Sequence, residues 1–121
     1  MQIGIIGLGR MGGNISRRLM KAGHHCVVFD SNTKPREALA KEGATAVQSL
    51  EDMVKSLKER PRAIWVMLPA GQITEETVER LGALLEPDDI IIDGGNSFYK
   101  DDIRRAKLLA DKRIRYVDCG T

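Results

Sequence analysis

The chain has 121 residues, a length at which one domain with a buried core is expected. Hydrophobic residues make up 42% of the chain and charged residues 30%, proportions typical of an ordinary globular protein. The net charge of +2 gives no strongly basic surface for nucleic acid or an anionic membrane, and no apolar run is long enough to span a bilayer.

A glycine-rich motif follows the first predicted strand. Residues 3–6 form a short apolar run, and residues 7–12 read Gly-Leu-Gly-Arg-Met-Gly, the G-x-G-x-x-G pattern of dinucleotide-binding turns. Gly7 allows the tight turn, Gly9 lets the backbone approach a pyrophosphate, and Gly12 lets the next helix lie close to the strand. The N–H groups in the first turn of that helix would face the anion. The alternative is a plain βαβ unit with a glycine-rich turn.

Short apolar runs alternate with helical periods along the rest of the chain. We predict strands at about residues 3–6, 26–30, 44–47, 63–68, 90–92 and 114–117. We predict helices at about 10–22, from a cap among 31–33 to Gly43, from a Ser49-Asp52 capping box to near Pro61, and at 74–85 and 99–112. The first helix should turn one apolar face toward the sheet: Met11, Ile15, Leu19 and Ala22. The alternation predicts one α/β domain over residues 1–121, a Rossmann-type doubly wound, six-stranded and mainly parallel sheet with helices on both faces.

The cofactor preference depends on the residue that ends the second strand. Asp30 stands at the position where a carboxylate accepts hydrogen bonds from both ribose hydroxyls of NAD and would repel the 2′-phosphate of NADP. Lys34 and Arg36 follow, but both open a helix and are expected to be solvated. We therefore predict NAD as the cofactor, with NADP less favoured.

The most unusual loop follows the fifth predicted strand, at residues 93–97, which read Asp-Gly-Gly-Asn-Ser. Ligands of doubly wound sheets bind at the carboxyl ends of the strands. The paired glycines would deliver the Asn96 amide and the Ser97 hydroxyl to the place where nicotinamide and substrate meet. In the alternative interpretation Ser97 caps the following helix, and the two roles are compatible.

The remaining reactive side chains predict no further chemistry. Cys26 and Cys119 lie in or beside predicted strands, without metal-ligand spacing, and are expected to be reduced. His24 and His25 precede the second strand and are expected to be solvated. No metal site is predicted. Since Met1 leads directly into a strand without a signal peptide, we expect a cytoplasmic location.

With these loops assembled, the chain resembles the β-hydroxyacid dehydrogenase superfamily and, within it, the 6-phosphogluconate dehydrogenase family. The segments that carry the resemblance are residues 5–14, residues 21–24, and above all Ile91-Ile92-Asp93-Gly94-Gly95-Asn96-Ser97-Phe98-Tyr99 with Arg104-Arg105. The resemblance, together with Asp30, implies these cofactor contacts: Gly7, Leu8, Gly9, Arg10, Met11, Gly12, Asp30, Ser31, Leu68, Pro69, Ala70 and Asn96. It implies substrate contacts from Asn96 and Ser97.

Two departures from the long, NADP-using members of the family also favour NAD. Those members have Asn-Arg-Thr after the second strand, where this chain reads Asp30-Ser31-Asn32. They carry a lysine in the loop after the fourth strand, where residues 68–71 here read Leu-Pro-Ala-Gly. Both differences resemble the shorter, NAD-preferring branch.

The resemblance implies oxidative decarboxylation of 6-phosphogluconate, a small sugar-acid phosphate, to ribulose 5-phosphate by a homo-oligomeric enzyme. In that family a Ser-Gly-Gly loop and a helical domain follow, and the helical domain supplies the lysine base and glutamate acid. This sequence ends at Cys119-Gly120-Thr121, where that loop should begin, so we expect a part of a longer enzyme with no catalytic residue of its own. The alternatives are a stand-alone NAD-binding or redox-sensing module and the cofactor domain of a different β-hydroxyacid dehydrogenase.

Overall fold

A computed structural model describes residues 2–68, 72–94, 107 and 109–118 of the chain. Six strands alternate with helices, as the periodicity predicts. The strands are β1 (Gln2–Ile6), β2 (His25–Phe29), β3 (Thr45–Ala46), β4 (Ala63–Val66), β5 (Ile90–Asp93) and β6 (Arg115–Asp118). The helices bounded within the described residues are α1 (Arg10–Lys21), α2 (Thr33–Lys41), α3 (Leu50–Ser56) and α4 (Gln72–Leu84).

The strands form one sheet in the order β3-β2-β1-β4-β5-β6, and every described pair is parallel. This is the strand order of the dinucleotide-binding Rossmann fold, so the predicted fold class is confirmed. The direction of the strand order reverses between β1 and β4, where Ile6 pairs with Phe29 on one side and with Val66 on the other. Ligands of such sheets bind in the crevice at this switch point, outside the carboxyl ends of the strands.

Helices cover both faces of the sheet. Residues of α1 and α2, including Ile15 and Leu39, pack on one face around Ile5, Cys26 and Val28. The other face carries α3 and α4 over a second buried cluster: Ile6, Val27, Val47, Met53, Val54, Leu57, Ile64, Val66, Val78, Leu81, Leu85, Ile91, Leu109 and Ile114. Since burying apolar area is the main favourable term in folding, these two layers position the loops at the sheet edge.

The predicted inner face of α1 is partly wrong. Ile15 and Leu19 are half-buried against the sheet, but Met11 is 49% exposed and Ala22 is exposed. The residues of α1 that are buried are all small: Gly12, Gly13 and Ser16. Ser16 donates its hydroxyl hydrogen to the carbonyl oxygen of Gly12 at 2.8 Å. Because small side chains allow close approach, the helix contacts the sheet on this side and Met11 turns outward.

Several predicted boundaries shift by one or two residues, and α3 ends at Ser56, well before the predicted end near Pro61. β3 is confined to two residues, and β4 ends at Val66 rather than at Leu68. The predicted capping box is present, since the Ser49 hydroxyl accepts a hydrogen bond from the Asp52 N–H at 3.1 Å. Of the predicted helix at 99–112, residues 107, 109 and 110 are helical and residues 99–106 and 108 lie outside the described residues.

Candidate cofactor site

The turn after β1 depends on two glycines. Gly7 has a φ of +92°, a conformation that side chains disfavour, and a Cβ there would lie 2.5 Å from the carbonyl oxygen of Met67. A Cβ on Gly12 would overlap the carbonyl oxygen of Gly7. The glycines therefore bring α1 against the turn and the turn against the end of β4, at the switch point.

Gly9 has a different environment from the glycines on either side of it. A Cβ on Gly9 would meet none of the described atoms within 4 Å, so its backbone faces open space. Gly9 is the N-cap of α1, and no side chain caps the helix among the residues that the structure describes. The first bond of the helix runs from the Gly13 N–H to the Gly9 oxygen at 2.8 Å. The N–H groups of residues 10–12 therefore have no acceptor within the helix.

The exposed beginning of α1 has the properties of an anion site. Arg10 is exposed and Met11 is half-exposed, and no acidic residue lies in the first turn. Unpaired N–H groups and the positive end of the helix dipole together attract phosphate groups. The open space beside Gly9 leaves room for the ligand to contact the backbone.

The Asp30 carboxylate joins two turns of the site. Its Oδ2 accepts a hydrogen bond from the Leu8 N–H at 2.7 Å, and its Oδ1 accepts one from the Asn32 N–H at 2.8 Å. Asn32 is in turn the N-cap of α2, where its side chain accepts from the Lys34 N–H at 3.2 Å. Two carboxylate oxygens offer about four acceptor positions, so Asp30 keeps capacity for ribose hydroxyls. Ser31 is exposed at the same turn.

Leu8 is joined to Asp30 by this bond. Its side chain is buried in the cluster around Ile5, and its N–H is bonded to Asp30. Among the described residues, the N–H groups of Arg10, Met11 and Gly12 have no acceptor, whereas the Leu8 N–H is bonded to Asp30.

The two cations after Asp30 have different environments. Lys34 is exposed, as predicted. Arg36 is half-buried, contrary to the prediction that it is solvated: its Nη1 donates to the Val47 carbonyl at 3.1 Å, and its guanidinium carbon lies 5.9 Å from the centre of the Phe29 ring. A guanidinium near an aromatic face and beside a strand-end carbonyl is held in place, because each contact orients its plane. The ring that holds Arg36 immediately precedes Asp30.

On the other side of the crevice, the ends of β4 and β5 are packed closely. Leu68 is half-buried, and Pro69, Ala70, Asn96 and Ser97 lie outside the described residues. A Cβ on Gly94 would overlap the Met67 sulfur and the Trp65 indole nitrogen, so any other residue there would displace these side chains. The Gly94 N–H donates to the Val66 carbonyl at 2.9 Å, which holds the start of the predicted Gly-Gly-Asn-Ser loop against β4.

Sequence reasoning missed a buried polar contact at this edge. Asp93 has no exposed surface, and the Tyr116 hydroxyl on β6 donates a hydrogen bond to its Oδ2. Sequence reasoning also did not predict that Ile73, in the first turn of α4, leaves a large apolar side chain 60% exposed. The available signal for Asp93 was an acidic residue that ends an otherwise apolar strand, since a buried carboxylate requires a hydrogen-bond donor.

Cys26 and the two histidines lie at the beginning of β2, whereas Asp30 follows its end. Cys26 is a free, buried thiol, as predicted, and burial raises its pKa, while Cys119 lies outside the described residues. His25 is exposed and contacts the Thr45 hydroxyl, but His24 is half-buried, so the prediction that it is solvated is wrong.

Within residues 2–68, 72–94, 107 and 109–118, no group of three or more His, Cys, Asp or Glu could hold a metal ion. In the same residues no helix has both the length and the apolar character needed to cross a membrane.

Comparison of the sequence with protein families gives one match over almost the whole chain. The family described as the NAD binding domain of 6-phosphogluconate dehydrogenase matches residues 2–121. The NAD(+)-dependent, decarboxylating 6-phosphogluconate dehydrogenase of Haloferax volcanii is 41% identical over 121 residues, which are 100% of this chain and 39% of that protein. The decarboxylating 6-phosphogluconate dehydrogenase of Staphylococcus epidermidis is 39% identical, over 98% of this chain and 26% of its own length. The chain thus spans well under half the length of these relatives.

Solved structures show the same fold. The 6-phosphogluconate dehydrogenase of Plasmodium falciparum, studied apo, with NADP+ and with its substrate 6-phosphogluconate, superimposes with a TM-score of 0.87 at 30% identity, over 96% of this chain and 26% of that one. The 3-hydroxyisobutyrate dehydrogenase of Mycobacterium tuberculosis gives a TM-score of 0.88 at 24% identity, over 98% of this chain and 40% of that one. At that identity the second likeness shows the fold alone.

Proposed function

Since the chain belongs to the family of NAD-binding domains of 6-phosphogluconate dehydrogenase, we propose that it binds the cofactor of that reaction at the open beginning of α1. The observation that carries the proposal is the contrast between Gly9, which faces open space, and Gly7 and Gly12, whose hydrogens face backbone. A tight turn without a ligand would require glycine only at positions 7 and 12. The open Gly9 fits a ligand that contacts the backbone itself, as a pyrophosphate does.

In the proposed complex the N–H groups of Arg10, Met11 and Gly12 hold the pyrophosphate, and Asp30 accepts from the adenosine ribose. Ser31 would lie beside the ribose, and Leu68, Pro69 and Ala70 would line the groove. Asn96 and Ser97 would contact the nicotinamide and the substrate. Bound cofactor supplies the hydride acceptor, while these residues bind and orient it.

We propose NAD rather than NADP as the preferred cofactor. A 2′-phosphate would lie near the Asp30 carboxylate and be repelled by it. Arg36, a partly buried cation six residues after Asp30, is already held by the Val47 carbonyl and the Phe29 ring. Lys34 is exposed, and solvent screens its charge. The cations after Asp30 therefore offset the repulsion only in part.

The activity of the whole enzyme is a wider proposal. We assign the chain to an enzyme that oxidises and decarboxylates 6-phosphogluconate to ribulose 5-phosphate, by analogy with relatives that bear that name. A cytoplasmic location and a homo-oligomeric enzyme are proposals of the same kind. No lysine or glutamate of this chain is assigned as the base or the acid of that reaction.

A matched pair of glycine substitutions tests the binding site. In Gly9→Ala, the methyl group enters the space proposed for the pyrophosphate, at a φ of −66° that alanine adopts without strain. We expect the NADH dissociation constant, measured by fluorescence titration, to rise about tenfold or more, because one blocked phosphate contact removes at least about 1.4 kcal/mol.

The control is Gly13→Ala, four residues along α1 and inside the helix. Its methyl group would lie 3.4 Å from a flexible Arg17 nitrogen and would not face the crevice. We expect unchanged NADH affinity and a free energy of unfolding higher by about 0.5–1 kcal/mol, the usual gain for alanine over glycine in a helix. Equal NADH affinity in Gly9→Ala and in the unsubstituted chain would contradict the proposed site.

The cofactor preference is tested on the unsubstituted chain. We expect NADH to bind more tightly than NADPH in parallel fluorescence titrations, because the 2′-phosphate meets the Asp30 carboxylate. Raising the salt concentration should narrow the difference, since screening weakens the repulsion. Equal affinities at low salt would refute the preference and leave cofactor binding itself intact.

A further inference from the structure

The structure points to Asp30 as a positioning residue for the pyrophosphate turn, in addition to its proposed contact with the ribose. This inference rests on the proposed function, since it concerns how the same site is held in shape. It predicts that the carboxylate matters even for ligands that have no ribose hydroxyls.

The first step of the argument is the connection between the two turns. The Leu8 N–H, in the middle of the glycine turn, donates to Asp30 Oδ2 at 2.7 Å. The Asn32 N–H, in the turn that begins α2, donates to Oδ1 at 2.8 Å. One side chain therefore bonds to the backbone of both turns at the edge of the crevice.

The second step is the energy of the Leu8 bond. Leu8 as a residue is 5% exposed and its bond to Asp30 is partly buried, so water would replace the lost carboxylate only incompletely. A buried N–H without an acceptor costs more free energy than an ordinary hydrogen bond contributes, and a charged acceptor strengthens the bond further. The turn would therefore rotate or loosen when this acceptor is lost.

The third step follows from the position of Leu8 in the turn. Leu8 lies one residue before Gly9, and the peptides after Gly9 carry the N–H groups proposed to bind pyrophosphate. Gly7 and Gly9 are both flexible in their backbone angles, so the Leu8 N–H bond is the polar restraint between them. Asp30 thus orients the phosphate-binding N–H groups through Leu8.

The test separates the two roles by changing the ligand as well as the protein. Binding of ADP and of 2′,3′-dideoxy-ADP is measured by calorimetry on the unsubstituted chain and on Asp30→Asn. Asparagine keeps the size of the side chain, but it has one acceptor oxygen and an NH2 group that cannot accept from a backbone N–H. We expect Asp30→Asn to weaken 2′,3′-dideoxy-ADP binding by about fivefold or more, because the turn loses a charge-assisted bond.

The sign of the effect distinguishes positioning from charge. Removing a negative charge beside a diphosphate would by itself strengthen binding. If Asp30 contacts only the ribose, 2′,3′-dideoxy-ADP binds Asp30→Asn as well as, or better than, the unsubstituted chain, and the inference is overturned. In that case NADH still binds the unsubstituted chain, so the proposed function stands. If the unsubstituted chain binds neither NADH nor ADP, both fall.

A spectroscopic measurement checks that the effect is local. An amide proton bonded to a carboxylate resonates downfield, so in an amide correlation spectrum we expect the Leu8 and Asn32 signals to move upfield in Asp30→Asn without ligand. The matched control is Glu42→Gln, another acid-to-amide change, in an exposed pair with Arg17. That control should leave both signals and both ADP affinities unchanged. Unshifted Leu8 and Asn32 signals in Asp30→Asn would overturn the inference.

Discussion

At the scale of single residues, the site depends on glycines that look alike in the sequence and differ in space. Gly7 needs its positive φ, Gly12 needs room for a carbonyl oxygen, and Gly9 faces open space. The first two serve the fold, and Gly9 is the one proposed to contact the cofactor. Substitution of Gly7 or Gly12 should therefore lower the stability of the fold, whereas substitution of Gly9 should weaken cofactor binding.

We expect Gly12→Ala to destabilise the fold by about 2–4 kcal/mol, because the new methyl group overlaps the backbone oxygen of Gly7 and forces the helix or the turn to shift. The change in the free energy of unfolding is measured by urea denaturation. Gly13→Ala, one residue further along the same helix, is the control and should not destabilise. Equal stability of the two variants would show that α1 shifts freely away from the turn.

The Cys26 thiol allows a prediction of pH dependence. Burial raises its pKa above the ordinary value of 9.0, so the folded state keeps its proton at pH values where the unfolded state loses it. The stability that the protonated Cys26 thiol contributes is fully present below about pH 9, and it is lost as the pH rises through the pKa of the thiol in the folded state. The free energy of unfolding should therefore fall more steeply above about pH 9 in the unsubstituted chain than in Cys26→Ala. Parallel slopes, measured by urea denaturation at each pH, would contradict this.

At the scale of elements, buried polar contacts tie the strand ends together at both edges of the sheet. At the carboxyl edge, Tyr116 on β6 donates to Asp93 on β5. At the amino edge, the 1% exposed Asp89 accepts from the Arg62 N–H at 2.7 Å and from its guanidinium at 3.3 Å. The same carboxylate accepts from the Glu86 N–H at 2.8 Å. Asp89 thereby joins the segments that precede β4 and β5.

We expect Asp89→Asn to cost about 3–5 kcal/mol, since it removes the buried carboxylate beside Arg62 and leaves that charge the more distant, exposed Glu86 at 4.0 Å. The control is Asp88→Asn, at an exposed neighbour whose φ of +76° asparagine tolerates. Urea denaturation of both variants measures the difference. A loss below about 1 kcal/mol in Asp89→Asn would show that Arg62 finds other acceptors, such as the Leu57 carbonyl at 3.2 Å.

At the scale of the whole molecule, the chain matches 39% of the length of the Haloferax volcanii relative and contains the switch point of the sheet with its glycine turn. We expect the 121-residue chain to bind NADH but not to produce NADH from NAD and 6-phosphogluconate. The reaction needs a general acid and a general base, and we propose that neither is among these residues. The absorbance of NADH follows the reaction. Measurable turnover would show that catalytic groups in this chain were overlooked.

Much of the fold could be predicted from the sequence, because local patterns carry it. The apolar runs predicted all six strands, and the Ser49 cap and the parallel order followed from the same kind of signal. The errors arose where tertiary contacts override local pattern. Met11 has the helical spacing of a core residue, but close packing at Gly12 and Ser16 turns it outward. Arg36 was expected in solvent because nothing local shows that the Val47 carbonyl lies within reach.

The class of site follows from the order of residues alone: a glycine turn after a strand, an acid at the end of the next strand, and a family resemblance that the comparisons confirm. These features are readable because each depends on residue type at a fixed spacing. How distant parts of the site are connected depends on the tertiary structure, which bonds Asp30 to Leu8 and Asp93 to Tyr116. Each of these two bonds joins residues more than 20 positions apart, so their partners are set by how the strands lie side by side.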